Sequence, residues 1–241
     1  RMLCRIDRIY LSKVIIGNNP KSEWHNILSH KWIYDRCREH ERNPDGYLDL
    51  SPGGHFKSSV AVKLSIIQEH LVNPMTSICL FAYEVDFAKK TLLFIKQVYE
   101  NNEDLKALFP EIFYGSLNPA KQTGTGGWTS DSLMLKPIVE ATQSFPSLTV
   151  ASIGKGKTGY HFDKIYFDDI VYRDNATPMR MRQMRGEITG AFSTLNQGAD
   201  SIRRFAFVGT RYHKDDPYQW LMDQKMVIPR VYTTTDNKKL D

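Results

Sequence analysis

The sequence predicts an α/β domain in which a mostly parallel β-sheet carries helices on both faces. Apolar runs of strand length recur along the chain. Amphipathic stretches of helical length separate them, and Gly/Pro clusters mark the junctions. With 241 residues, 41% of them hydrophobic and 24% charged, the chain suits one globular core better than two.

Apolar periodicity predicts a first helix over about 22–41, with Trp24, Ile27, Leu28, Trp32 and Ile33 on its buried side. Residues 47–50 (YLDL) read as a short strand running into the turn SPGG, and SSVAVKLSIIQEHLV after it has helical spacing. A buried strand is predicted over 76–83 and an amphipathic helix over 84–101. The loop KQTGTGGW is glycine-rich and precedes a strand near 132–135. The runs 147–153 (SLTVASI), 164–169 (KIYFDD) and 204–210 (RFAFVGT) read as core strands. Between the last two, Thr177-Pro178 supplies an N-cap and a first-turn proline for a helix through about Thr194.

The formal net charge of +5 favours a polyanionic partner. Its distribution says more: no Arg lies between Arg42 and Arg173, whereas Arg173, Arg180, Arg182, Arg185, Arg203, Arg204 and Arg211 crowd one stretch. Cys4, Cys37 and Cys79 are odd in number and lack framework spacing, which fits a reducing compartment. Cys37 and His40 form a C-x-x-H pair with no second pair to complete a zinc site. No apolar run reaches the length of a membrane span, and no secretory signal is present.

The chemistry begins at Ser51-Pro52-Gly53-Gly54-His55-Phe56-Lys57-Ser58-Ser59, where a strand ends, glycines turn the chain and Lys-Ser opens a helix. Phosphate binding uses this arrangement. Backbone N–H groups surround the phosphates, the helix N-terminus adds a favourable field, Lys57 bridges β- and γ-oxygens, and the Ser58 hydroxyl ligates Mg²⁺. The GxxxxGK[ST] pattern fails twice, because Ser51 and Phe56 occupy its two glycine positions. A second stretch, Gly154-Lys155-Gly156-Lys157-Thr158, keeps a literal GKT but is followed by another strand. It reads as a glycine-rich turn.

Ile165-Tyr166-Phe167-Asp168-Asp169 is an apolar strand ending in two carboxylates, the pattern of a Walker B element. There Asp168 holds the Mg²⁺ shell and Asp169 aligns and deprotonates the attacking water. Neighbouring strand residues face opposite ways, so the two acids are expected to do different jobs. Acids also cap strand ends without catalytic work. In Phe207-Val208-Gly209-Thr210-Arg211-Tyr212-His213-Lys214-Asp215-Asp216, Thr210 can place a hydroxyl beside a γ-phosphate; the same stretch also reads as a strand before a helix capped by Asp215 or Asp216. The order and spacing of all three elements in one α/β pattern favour the nucleotide reading.

These three segments resemble the large terminase subunits of tailed bacteriophages. SPGGHFKSS is similar to that family's degenerate phosphate loop, commonly APRGHAKS. GYHFDKIYFDDIV resembles its Walker B stretch, and GTRYHKDDPYQWL is close to the usual GTRWHEDDLYGRL, the most specific match of the three. The resemblance spans Ser51 to about Leu221, and a helix containing His25 and His30 fits the segment before the phosphate loop.

The resemblance implies a P-loop NTPase of the additional-strand, catalytic-acid type, hydrolysing ATP with Mg²⁺. Its expected partners are double-stranded DNA, the portal of a procapsid, a small terminase subunit and further copies in a ring; no membrane is involved. The expected compartment is the host cytoplasm. Residues 1–235 would form the ATPase domain, with 1–45 a helical segment packing near the nucleotide, and 236–241 would begin a linker to a nuclease domain beyond this chain. The implied catalytic residues are Lys57, Asp169, Thr210 and Arg211; Pro52 to Ser59 cradle the phosphates, and Ser58 and Asp168 hold the metal. Two departures stand out: Gly53 replaces the family's loop Arg, and Asp169 stands where Glu is common. A helicase-like or other nucleic-acid-remodelling P-loop ATPase is the alternative reading. A module that binds nucleotide or docks on the portal without turnover is a third.

Overall fold

The computed structural model describes residues 1–17, 24, 30–115, 128–155, 159–173, 177–196 and 204–233. Seven strands form one sheet in the order β3-β4-β2-β5-β6-β1-β7. They are β1 (Tyr47–Leu50), β2 (Ile78–Ala82), β3 (Ser132–Leu133), β4 (Leu148–Ser152), β5 (Lys164–Asp168), β6 (Phe205–Gly209) and β7 (Ile228–Val231). Every neighbouring pair is parallel except β3 with β4. The α/β class and mostly parallel sheet are as the apolar runs predict.

Both faces of the sheet are buried, and alternation along each strand feeds two cores. Tyr47, Leu80, Val150, Tyr166, Ala206 and Val208 pack with the Leu64–Val72 and Val85–Asn101 helices on one side. On the other, Leu48, Leu50, Phe81, Ile165, Phe167 and Phe207 meet Met181, Met184 and Ile188 of the Pro178–Phe192 helix. Phe167 and Phe207 stack across the β5–β6 pair with centroids 4.2 Å apart. A smaller cluster joins Trp24, Ile33 and Cys37 to Val60 and Leu64, seating the Lys31–Arg42 helix beside the helix that follows β1. Cys37 and His40 are both buried in that region, His40 in contact with Asp49 and Arg230.

Several local expectations are corrected. The described part of the first helix runs Lys31–Arg42; Trp24 is helical and buried, and 25–29 lie outside the described residues. The helix after the Gly53–Phe56 turn opens with a π-helical turn, Ser58–Lys63, before regular α geometry at Leu64–Val72. β3 stops at Leu133 because Leu135 caps the Lys136–Glu140 helix, with Pro137 in its first turn. The Pro178–Phe192 helix starts as expected, Thr177 accepting from the Arg180 amide, and ends two residues early. Asp216 caps the Pro217–Asp223 helix by accepting from the Gln219 amide, so the capping reading of that segment is correct as well. The loop KQTGTGGW falls outside the described residues save Trp128, as does the linker segment 236–241.

One buried histidine is hydrogen-bonded in a way that fixes its protonation. His70 is fully buried; its Nε2 donates to the Ser147 carbonyl (3.1 Å), leaving Nδ1 to accept from the Tyr99 hydroxyl (2.8 Å). That tautomer is neutral, and burial holds the ring's pKa down at about 4. The unfolded chain therefore binds a proton, near pH 6.5, that the folded chain refuses until about pH 4. Between those values His70 should remove stability as pH falls, by about 1.4 kcal/mol per pH unit at most. His40, held down to about 3 by burial, acts in the same direction, while Asp168, pushed upward, acts oppositely. The effect of His70 is therefore read as a difference. His70→Gln, which keeps one donor and one acceptor, should flatten the loss of urea stability from pH 7 to 5 relative to the unsubstituted chain. Parallel pH profiles would show that this histidine is not held neutral.

Candidate nucleotide site

The β-ladders place the chemistry. In register Leu50 lies opposite Gly209, and Val208 opposite Asp168, so the segments leaving β1, β6 and β5 emerge together at one sheet edge. Lys57, Ser58, Asp168, Asp169 and Thr210 converge there. All but Asp168, which sits behind Ser58, line a cleft of about 230 Å³ together with Gly53 to Phe56, Ser59, Tyr172 and Tyr212.

Lys57 is buried, and its Nζ lies 2.7 Å from Asp169 Oδ1 while also donating to Thr210 Oγ1. The Ser58 hydroxyl donates to Asp168 Oδ1 at 2.8 Å. Thr210 donates its own proton to the Ser51 carbonyl at 3.0 Å, so toward Lys57 its oxygen can only accept. The His55 ring stays within the loop, Nδ1 donating to the carbonyls of Gly53 (2.9 Å) and Pro52 (3.2 Å).

Backbone conformation aims two of these groups. Gly54 has φ +79 and Phe56 φ +52, both in the left-handed region that turns the loop back over the helix. Asp169 has φ +46, which redirects its carboxylate after β5 ends at Asp168. Simple strand alternation would send the two acids apart; the left-handed residue brings both to the cleft, one on Ser58 and the other on Lys57. Behind them Gly209 has no room for a side chain, since a Cβ would overlap the Tyr218 hydroxyl.

Electrostatics separate the acids from a third carboxylate nearby. Burial pushes Asp168 up, the charge of Asp169 adds to it, and the Ser58 hydrogen bond only partly opposes. Asp49 on β1 is as deeply buried but is held down at about 2: its burial is outweighed by His40, with Nε2 at 3.1 Å, and by Arg36, with Nη2 at 2.5 Å. Asp168 thus has no cation in direct contact, as Asp49 has in Arg36; Lys57 and Lys63 oppose the push only from a distance. A hydroxyl and a carboxylate 2.8 Å apart, beside a loop of free amides, are hard oxygen ligands of the kind Mg²⁺ takes together with phosphate and water. The donor set fits that metal, and a dication there would reverse the upward push on Asp168.

The arginines are less concentrated on the site than the sequence suggests. Arg180 pairs with Glu187, and Arg185 donates to the Asp215 carbonyl. Arg211, implied as catalytic by the resemblance, instead donates to the Lys214 carbonyl and lies 3.6 Å from Asp216, outside the residues lining the cleft. Among the described residues none of the cleft-lining side chains is an arginine. In the rival glycine loop, Gly154 packs against Glu187, and among the described residues between it and β5 none is helical; 156–158, Lys157 included, lie outside the described residues. Sequence reasoning passed over Asp49, Arg36, His40 and Arg230, which lie beneath the loop, and the aromatic pair Tyr172 and Tyr212 at its mouth. The outward signal for the first group is an acid inside an apolar strand, YLDL.

No protein-family model and no curated protein matches the chain.

Phe56 supplies a test of the loop geometry. A glycine relieves left-handed strain of about 1–2 kcal/mol but gains unfolded-state entropy worth about 0.5–1 kcal/mol. Phe56→Gly should accordingly leave urea stability unchanged or slightly raised. Phe56→Val, β-branched at positive φ, should lose at least about 1 kcal/mol. Equal stabilities for the two variants would contradict the left-handed assignment.

Proposed function

We propose that this chain is the ATP-hydrolysing motor domain of a large terminase, driving double-stranded viral DNA through a portal into a procapsid. The carrying observation is the meeting of Lys57, Ser58, Asp168, Asp169 and Thr210 at one sheet edge, with β6 inserted between β1 and β5. That insertion is the strand order of additional-strand P-loop ATPases, and the three segments bordering the cleft are those that resemble terminases.

In this reading the Gly53–Ser59 amides receive the β- and γ-phosphates of ATP. Lys57, which bridges Asp169 and Thr210, turns to the phosphate oxygens and leaves the Asp169 carboxylate available. Asp169 then takes a proton from the water that attacks the γ-phosphorus, and the bond to the bridging oxygen of ADP breaks. Mg²⁺ arriving with the nucleotide would be held by Ser58 and Asp168, neutralising charge on the phosphates. Asp168 and Asp169 keep different duties because their partners differ.

Lys57→Ala should lower ATP turnover by at least about 10²-fold, the scale for removing a direct stabiliser of transition-state charge. Lys157→Ala should change it only a few-fold. Asp169→Asn should still bind Mg·ATP but not hydrolyse it, and Asp168→Asn should weaken Mg²⁺-dependent binding itself. Fluorescent-nucleotide titration beside phosphate release separates these outcomes. Equal affinities and equal residual rates in the two acid variants would sink the assignment.

The cleft offers Lys57 as its cation, so the arginine that commonly meets charge on the transferred phosphoryl group comes from another surface, a neighbouring copy in a ring being the source we favour. Arg182 is the best placed of its cluster, since Arg180 and Arg185 are engaged within the chain. The isolated chain should then be a slow ATPase that accelerates on assembly, and mixing Lys57→Ala with Arg182→Ala should restore part of the lost turnover. A fully active monomer, or mixtures that never recover, would argue against a shared site.

A further inference from the structure

Beneath the phosphate loop lies a group of buried polar side chains that the mechanism above does not use. Asp49 sits in the middle of β1 with no exposed surface. Its Oδ2 accepts from Arg36 (2.5 Å) and His40 (3.1 Å), both on the Lys31–Arg42 helix. Arg230 of β7 donates to His40 Nδ1 (2.9 Å) and to the Asn43 carbonyl (2.7 Å), fixing the His40 tautomer that points Nε2–H at Asp49. The other carboxylate oxygen, Oδ1, accepts from the Ser51 hydroxyl at 2.9 Å.

Ser51 is in turn latched to the end of β6. Its amide donates to the Gly209 carbonyl (3.1 Å), and its carbonyl accepts the Thr210 proton (3.0 Å). Thr210 has one proton, so while Ser51 takes it, the oxygen presents a lone pair to Lys57. A continuous line of polar contacts thus runs from Arg36 and His40 through Asp49, Ser51 and Thr210 to Lys57 and Asp169.

We propose that Asp49 and Ser51 are positioning residues for the phosphate lysine, and that the Lys31–Arg42 helix and β7 belong to the catalytic unit through them. Ser51 stands at the first glycine position of the phosphate-loop pattern, and its hydroxyl is what a glycine there would lack. Losing it leaves Asp49 held by Arg36 and His40, so the strand keeps its charge balance while the loop loses its tie. Thr210 then has a less fixed acceptor, and Lys57 a less fixed partner.

The test uses Ser51→Ala and Ser51→Thr in the whole chain, with two readouts. Without nucleotide, Lys57 is acetylated by limiting acetic anhydride and its rate is resolved by mass spectrometry against exposed Lys31. With nucleotide, kcat and KM for ATP are measured; this arm rests on the nucleotide reading above. Ser51→Ala should raise Lys57 acetylation about tenfold and lower kcat about tenfold, as for one ordinary hydrogen bond, with KM changed less than about twofold. Ser51→Thr, which keeps a hydroxyl, should match the unsubstituted chain in both. If Ser51→Ala does not fold, Ser51→Cys, a much weaker donor of similar size, is read the same way. A variant that melts lower but leaves Lys57 reactivity unchanged overturns the proposal and makes Ser51 merely a partner of Asp49. If the unsubstituted chain turns over no ATP, the nucleotide reading fails and the acetylation arm alone decides the relay.

Discussion

β1, β6 and β5 lie side by side and parallel, and that ladder sets the distances in the cleft. Neighbouring strands are about 4.8 Å apart, so the segments leaving β1 and β5 begin about 10 Å from each other. A lysine side chain spans most of that interval. Lys57, rooted beyond β1, therefore reaches Asp169 beyond β5, and Thr210, emerging from the strand between, is placed to hold it midway. With β1 beside β5 directly, the lysine would overshoot and no strand would deliver the hydroxyl. Stacked Phe167 and Phe207, and the tight fit of Tyr218 over Gly209, keep β5 and β6 from sliding. The packing below the sheet edge thus sets the distances between the side chains above it.

Burial alone does not decide what a carboxylate does here; its partners do. Asp49 and Asp168 both lose most of their hydration. Asp49 regains it from Arg36 and His40 and stays ionised, a fixed negative anchor beneath the loop. Asp168 has a hydroxyl and a second acid for neighbours, an arrangement that disfavours its charge until a cation arrives. The first carboxylate has a guanidinium and an imidazole N–H in direct contact, whereas the second has a hydroxyl. That difference in partners is what makes Asp168, and not Asp49, a candidate site residue.

Much of this was legible in the sequence, for reasons that differ by element. The core strands announced themselves because both faces are buried, giving uninterrupted apolar runs such as ICLFA and IYF. β7 did not, since its one inward side chain is Arg230 while Ile228 and Val231 face out, an inverted pattern that only the cation site beneath β1 explains. Helices of five to seven residues, such as Lys136–Glu140 and Pro217–Asp223, are too short to show a period and are held by caps and tertiary contacts. Lys57, Ser58, Asp168 and Asp169 could be named because loop and strand-end motifs are local. Arg36, His40 and Arg230 could not, because their role arises from contacts across 9 to 190 residues of chain.

Ser51 and Phe56 stand where the phosphate-loop pattern asks for glycine, and each meets a different local demand. Glycine is required where φ is positive or where a side chain would collide. Ser51 meets neither condition: its φ is not positive, and its side chain points into the gap over Asp49 that its own hydroxyl fills. Substituting serine there adds a hydrogen bond at no conformational cost. Phe56 does have positive φ, and its ring escapes collision by standing partly in solvent at the cleft mouth. It bears the strain in a segment already bounded by Gly54, the Lys57 ion pair and the Val60–Phe56 helical hydrogen bond (2.9 Å), which together leave the backbone little alternative. A motif search that asks for glycine asks for a residue, whereas the fold asks for a torsion angle at one position and open space at the other.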